Sequence, residues 1–322
     1  MNSSWDLAWN NLSSVAVLVF ILGFIASRIK SDVRLPDSIY QFVSIFLLFG
    51  IGLKGGHSLK DVSPSEFLAP SVATFLLGSI IPFIAFYTLK LIKSINDMDR
   101  GAIAAHYGST SLVTFSAALL FLENSGIQFE GYATALLTIM EVPGIVIGIY
   151  LGSRAGSRKT PWGETLREVL LGKTVLLLVG GLIIGGITSQ AGYEKVSPFF
   201  IDLQGGLLVL FLLHLGYLAG SNWNEIKHVG FPMVVFAIAF PIFAGTLGIL
   251  VANFVGLSLG GMVVIGVLCA SASYIAAPAA VLLALPESKL SLALISSIGV
   301  TFPFNLILGI PLYLEIARLI NG

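Results

Sequence analysis

The sequence predicts an all-α integral membrane protein of about ten spans, arranged as two inverted five-helix repeats with crossed, partly unwound fourth helices. Three observations carry that expectation: composition, the recurrence of long apolar runs, and a correspondence between the two halves. Of the 322 residues 56% are hydrophobic and 11% are charged, with a mean hydropathy of +0.94. Soluble domains carry about 25% charged residues, so lipid is the main solvent here. One crossing needs about 20 apolar residues. Runs of that order fall at 14–29, 36–54, 67–92, 101–122, 131–152, 169–188, 198–219, 231–254, 258–286 and 290–318. No small-residue cleavage site follows the first run, so it reads as a retained span rather than a signal peptide.

Taken in order, the spans of one half echo those of the other. In the first and sixth, "LGFI" at 22–25 answers "IGGI" at 184–187, placing Gly23 opposite Gly185. In the second and seventh, "GLKGG" at 52–56 answers "GYLAG" at 216–220. Pro70 and Pro232 are read as opening the third and eighth. In the fourth and ninth, "GSTS" at 108–111 answers "ASAS" at 270–273, and in the fifth and tenth Pro143 answers Pro303. The offsets stay between 160 and 164. Glycine is abundant, so no single match decides, but five in order at a nearly constant offset do. The repeat units are 1–160 and 161–322. Five is odd, so the second copy enters the bilayer inverted, the arrangement of secondary transporters that bind at the midplane between repeats.

Other classes find little support. The "GKT" at 172–174 has Arg167 where a P-loop needs its first glycine, and no connection is long enough for a soluble catalytic or nucleotide-binding domain. The single cysteine, Cys269, excludes an internal disulfide and disfavours a cysteine metal site. Zero net charge gives no reason to expect nucleic-acid binding. Thirteen basic residues, among them Arg158, Lys159 and Lys227, fall on one side of the predicted spans and four on the other. That bias places 153–169 in the cytoplasm and both termini outside.

The fourth spans carry the candidate site. "HYGSTSLVTFSAAL" (106–119) and "CASASYIAAPAAVL" (269–282) set small and hydroxylated residues at mid-membrane, followed by Ser116 in one and Pro278 in the other. Small residues admit a neighbouring backbone. A helix unwound there presents N–H groups at a new N-terminus that attracts an anion, tolerated at that depth only beside protein or a cavity. Ser109, Thr110, Ser111, Ser271 and Ser273 would supply hydroxyl donors to a small anion held between two helix ends. The competing reading is close helix packing through small residues.

Glu141 is the one Asp, Glu, Lys or Arg near the middle of a predicted span, a costly position that marks a functional candidate. Thr301 is its repeat equivalent, with Asn305 one turn on. Carboxylate, hydroxyl and amide oxygens suit a hard cation such as Na⁺; a protonated Glu141 bonded to a neighbouring helix is the alternative. His106 and His214 are read as packed neutral imidazoles rather than proton relays. Lys54, Asp202 and Glu315 are read as snorkelling from span ends, Asp97, Asp99, Glu164 and Glu168 as solvated loop residues, and Trp162 and Trp223 as interfacial anchors.

The stretches "AAHYGSTSLVTFSAALLFLE" (104–123), "ALLTIMEVPG" (135–144), "ASASYIAAPAA" (270–280) and "GVTFPFNLILGIPLYLEIA" (299–317) resemble the sodium-dependent bicarbonate permeases of the SbtA type. The likeness covers nearly the whole chain. It implies Na⁺-coupled symport of HCO₃⁻ by an elevator-type movement of a core against a gate domain. It also implies a homotrimer in a bacterial inner membrane, a trimeric PII-like cytoplasmic partner in members that have one, and no covalent cofactor. Carried onto this chain, the substrate role falls on Gly108, Ser109, Thr110, Ser271, Ala272 and Ser273, with Ser111 beside them, and the Na⁺ role on Glu141, Thr301 and Asn305. The glutamate of "MEVPG" and the run "SLVTFSAAL" depart from cyanobacterial members and point to a broader bacterial branch. A symporter of small organic anions, of the carboxylate or bile-acid type, remains an alternative because the architecture is similar. A cation/proton antiporter normally carries paired mid-membrane acids, which a lone Glu141 does not supply. An anion-sensing receptor would need a larger cytoplasmic surface, and a membrane enzyme would need a nucleophile–base pair.

Overall fold

Local chemistry sets the helix boundaries. The computed structural model describes residues 9–156, 160–224 and 230–322, and helices account for about four fifths of them, with no strand among the described residues. Helix α1 (Val15–Arg28) begins at Ser14, whose Oγ accepts from Val17 N at 3.3 Å, one of the orphan donors every helix start leaves. Helix α2 (Asp37–Ser58) follows Pro36. Helix α3 (Pro64–Leu89) combines a Ser63 cap with proline at its first position, where a missing N–H costs nothing. Pro70 therefore lies inside a helix rather than opening one, because the chain turns helical at Pro64, three residues before the apolar run.

The fourth span is two helices, α4 (Asp97–Gly108) and α5 (Leu112–Asn124), and the fifth is α6 (Ala133–Ser153). An amphipathic helix α7 (Trp162–Leu171) meets α8 (Lys173–Ile187) at a 46° bend. Gln190–Ser221 forms α9, with a π turn at Pro198–Asp202, and Phe231–Phe254 forms α10. The ninth apolar run is again split, into α11 (Leu259–Ala270) and α12 (Ala277–Ala284). The last helix, α13 (Leu290–Asn321), contains π turns at Ile295–Thr301 and Asn305–Gly309 on either side of Pro303. Proline cannot donate to the preceding turn, and the i→i+5 pattern is one way a helix absorbs that loss.

Among the described residues seven helices are long and apolar enough to cross a membrane, or eight if α7 and α8 are one bent span; α1 and α11 are shorter apolar helices. Large apolar side chains such as Leu22, Leu91, Phe231 and Phe254 are exposed on the outer surface, as a lipid-facing bundle requires. Arg158, Lys159 and Lys227, counted in the charge bias, lie outside the described residues.

Two tight helix crossings hold the periphery together, and both rest on glycine. A Cβ on Gly23 of α1 would overlap the Leu213 carbonyl of α9, and one on Gly216 of α9 would overlap that of Phe20. In the α2–α8 pair Gly185 stands against the Leu53 carbonyl and Gly56 against that of Leu182. Without a side chain at these points the backbones approach closely, which is how membrane helices associate.

Candidate functional site

The two broken spans meet at their breaks. Helices α4 and α11 are each 12 residues long, so each runs ~18 Å before it stops. Asp97–Asn124 is the most enclosed of the long spans, with 89% of its membrane-length segment buried. Ser109, Thr110, Ser111, Ser271, Ala272 and Ser273 are all buried.

An interrupted helix leaves carbonyls without partners, and here each break satisfies the other. Ser273 N donates to His106 O of α4 at 2.8 Å. In the opposite direction Ser111 N donates to Ser271 Oγ at 2.9 Å, and that hydroxyl donates to Leu268 O of α11, also at 2.9 Å. The second link is the first with a hydroxyl inserted, since His106 and Leu268 are 162 positions apart, as are Ser111 and Ser273. Ser111 Oγ also caps α5, accepting from Thr114 N at 3.2 Å and from the Thr114 hydroxyl at 2.9 Å. Ser273 Oγ accepts from Ala277 N at the start of α12 at 3.3 Å. Ser109 Oγ is buried with no hydrogen-bond partner among the described residues, a rare condition for a buried hydroxyl and an available donor at the crossing. Ala272 offers only a methyl group.

The relay makes Ser271 a positioning residue with a measurable share of stability. Ser271→Ala strips Ser111 N of its acceptor, while Leu268 O keeps the Ser271 N–H at 3.3 Å, and a buried polar group left unsatisfied costs about 1–3 kcal/mol. The expected result is a lower melting temperature in detergent than for Ser271→Thr, which keeps the hydroxyl. Equal melting of the two variants would remove the relay from the site.

Glu141 of α6 is 2% exposed, and Thr110 Oγ1 donates to its Oε2 at 2.6 Å. Thr110, Ser111, Glu141 and Ser273 border one cavity of about 10 Å³ together with Tyr274, room for about one water-sized particle. The helix carrying Glu141 is drawn onto the first break by glycine. A Cβ on Gly144 would overlap the Gly108 carbonyl, and Gly148 and Gly152 meet α4 at Ala105 and Gly101. Gly108 itself lies against the Pro82 ring of α3.

Thr301 and Asn305 sit on different partners from Glu141. Asn305 Nδ2 donates to the Ala270 carbonyl at the end of α11 at 2.8 Å, and its Oδ1 accepts from Tyr313 OH at 2.9 Å. Thr301 Oγ1 donates to Ala237 O at 2.6 Å and so accepts from Tyr107 OH, at 2.7 Å. Asn305 thus serves the second break, Glu141 the first, and Thr301 braces α13 against α10 and α4. All three are buried within the helices that flank the breaks.

His106 and His214 are both packed and hydrogen-bonded through Nδ1. His106 Nδ1 donates to Ala102 O at 2.7 Å, and His214 Nδ1 accepts from Leu35 N at 3.1 Å under the Tyr40 ring. Two charged residues differ from expectation. Asp99 is 2% exposed and accepts from Lys289 N at 2.7 Å, and Lys54 pairs with Glu123 at 3.2 Å rather than simply snorkelling. Gly144 and Tyr274 were missed as site residues. The "EVPG" motif and an aromatic ring inside an otherwise small-residue run were the available signals.

A helical membrane bundle in which two broken spans and a buried carboxylate converge belongs to the class of secondary transporters. The chain is a member of the Na⁺-dependent bicarbonate transporter superfamily, whose family model matches residues 15–318 and so includes both breaks, Glu141, Thr301 and Asn305. It is a transporter rather than an enzyme. Comparison with curated proteins gave no match.

Proposed function

We propose that this protein carries HCO₃⁻ across a bacterial inner membrane by symport with Na⁺, using the two crossed breaks as the anion site and Glu141 as the anchor of the cation site. The observation that carries the reading is the meeting of the two buried breaks beside a buried carboxylate, with Thr110, Ser111 and Ser273 bordering the same cavity as Glu141. The starts of α5 and α12 face the crossing with partial positive charge. Ser109, Thr110, Ser111 and Ser273 add hydroxyls, Ser271 holds the two breaks in register through its relay, and Gly108 and Ala272 contribute no bulk. Na⁺ binds beside Glu141 and Thr110 first, offsets the carboxylate, and lowers the cost of bringing an anion to the same depth. In this reading the Na⁺ role extends to Asn305, which holds the Ala270 carbonyl at the second break, and to Thr301, which braces α13 against α10 and α4. Na⁺ is cargo here, not a resident cofactor.

The movement in this reading is an elevator. Ten spans form two inverted repeats, 1–160 and 161–322, with a core built on the broken spans and a gate built on the α1–α9 and α2–α8 crossings. The reciprocal contacts support it: Gly23 on Leu213 mirrors Gly185 on Leu53, and Gly56 on Leu182 mirrors Gly216 on Phe20. These pairs favour an offset of 160 for the second and seventh spans, aligning Gly56 with Gly216, in place of the 164 that the glycine motifs alone give. Two carboxylate contacts repeat the pattern at the span ends, with Asp99 accepting from Lys289 N and Glu130 from Ser258 N. Both termini outside the cytoplasm, a homotrimer and a PII-like cytoplasmic partner complete the proposal.

The test is uptake of labelled bicarbonate by proteoliposomes under an inward Na⁺ gradient, against a matched K⁺ gradient, with protein-free vesicles correcting for CO₂ leak. Saturable uptake driven by Na⁺ alone is the expected result. Folded protein that takes up small carboxylates and not bicarbonate would move the substrate to the organic anions.

A further inference from the structure

A second cavity, of about 180 Å³, lies next to the 10 Å³ cavity at the crossing. It opens at the α7–α8 elbow, where Glu168 and Lys173 are exposed at its mouth. Its inner wall is Thr174, Ile145 and Ile275. Thr174 and Ile275 also bound the cavity that touches Glu141, Thr110 and Ser273. On α6 the same progression is visible, since Ile145 of the outer cavity is one turn beyond Glu141 of the inner one.

Helix length explains why the outer chamber reaches so deep. Helix α8 has 15 residues, a rise of ~22 Å, against ~30 Å of hydrocarbon. A helix that short leaves about 8 Å of hydrocarbon unspanned, and the 46° bend at Gly172 carries the chain into α7, whose Glu168 and Val169 also line the outer cavity. Exposure falls along the path from charged residues at the mouth to a buried hydroxyl, with Thr174 at 7%. Ile275 sits in the non-helical stretch 271–276 and is only partly buried, so it can swing without breaking a helix.

We propose that these two cavities are successive chambers of the route between the midplane site and the membrane face that bears the α6–α7 connection, with Thr174 and Ile275 as its gate. This rests on the transport reading, and it assigns a role to the "GKT" segment that the site itself does not use. Thr174 comes from neither broken span; its hydroxyl is the polar element of the gate, and Ile275 is the apolar element that seals it.

The experiment uses the full-length protein in oriented vesicles with Cys269 replaced by alanine. Thr174→Cys is probed with a membrane-impermeant quaternary-ammonium methanethiosulfonate applied to one face at a time. Gly163→Cys on exposed α7 and Asn253→Cys at the far end of α10 mark the two faces. Thr174→Cys is expected to react from the Gly163→Cys face, ~10- to 1,000-fold more slowly than that marker, because a gated state is open about 0.1–10% of the time. Adding Ile275→Ala raises the rate, and modification of Thr174→Cys stops uptake. Reaction from the Asn253→Cys face alone would overturn the route, as would no reaction in either background. Complete modification with unchanged uptake would overturn the gate. Labelling needs no substrate, so the expected pattern in a protein lacking Na⁺-driven bicarbonate uptake would support the route while removing the substrate assignment.

Discussion

Glu141→Gln is expected to weaken Na⁺ activation of uptake by about 10- to 150-fold, the loss of one charge-assisted interaction worth about 1.5–3 kcal/mol. Glutamine preserves the shape, and its side-chain oxygen can still accept from Thr110 Oγ1, now at 2.6 Å from the carboxylate. The variant therefore removes charge with little disturbance of packing. A second measurement separates a ligand from a structural acid. Without Na⁺ a buried carboxylate costs a few kcal/mol at this depth, so Glu141→Gln in Na⁺-free buffer should melt at or above the wild-type temperature. Added Na⁺ stabilises the wild type by mass action and leaves the variant where it was. Unchanged sodium dependence of both uptake and melting would remove Glu141 from the cation site. Thr110→Val, which deletes the donor and keeps the charge, should fall between the two proteins.

The sequence exposed those parts of the site whose chemistry conflicts with their surroundings. Ser, Gly and Ala at 108–111 and 270–273 stand out inside apolar runs, and both stretches lie where helices stop. Glu141 stands out for the same reason. What stayed hidden depends on contacts distant in the chain. Asp99 looks like a loop residue because its neighbours Asp97 and Arg100 are charged; its burial comes from Lys289, 190 positions away. Thr301 matches Glu141 by offset, yet Tyr107 and Ala237 engage its hydroxyl, and nothing local to 301 announces either partner. The late start of α8 was also hidden, because the apolar run begins at 169 and hydropathy does not register the bend at Gly172. The role of Thr174 depends on that bend.

Gly144→Val should reduce uptake by at least an order of magnitude without unfolding the bundle, and the reason lies in what the side chain would meet. The Cβ at 144 would overlap the Gly108 carbonyl and crowd Ser109 N, backbone atoms held by the crossing itself rather than the ends of flexible side chains. Overpacking of this kind costs about 1–3 kcal/mol, and the break is the part of the helix with the fewest bonds to resist it. Relief by moving the break shifts Ser109 and Thr110 relative to Glu141. Relief by moving α6 shifts Glu141 relative to Thr110. Either displacement separates the anion donors from the carboxylate, so the effect falls on transport more than on helix content. Gly180→Val is the matched control, because no atom of the described residues lies within 4 Å of a Cβ at that position. Circular dichroism unchanged in both variants, with uptake lost only in Gly144→Val, is the expected pair of results. Wild-type uptake by Gly144→Val would mean that the first break can move away from α6 without consequence, and the coupling between Glu141 and the hydroxyl cluster would then have to be placed elsewhere.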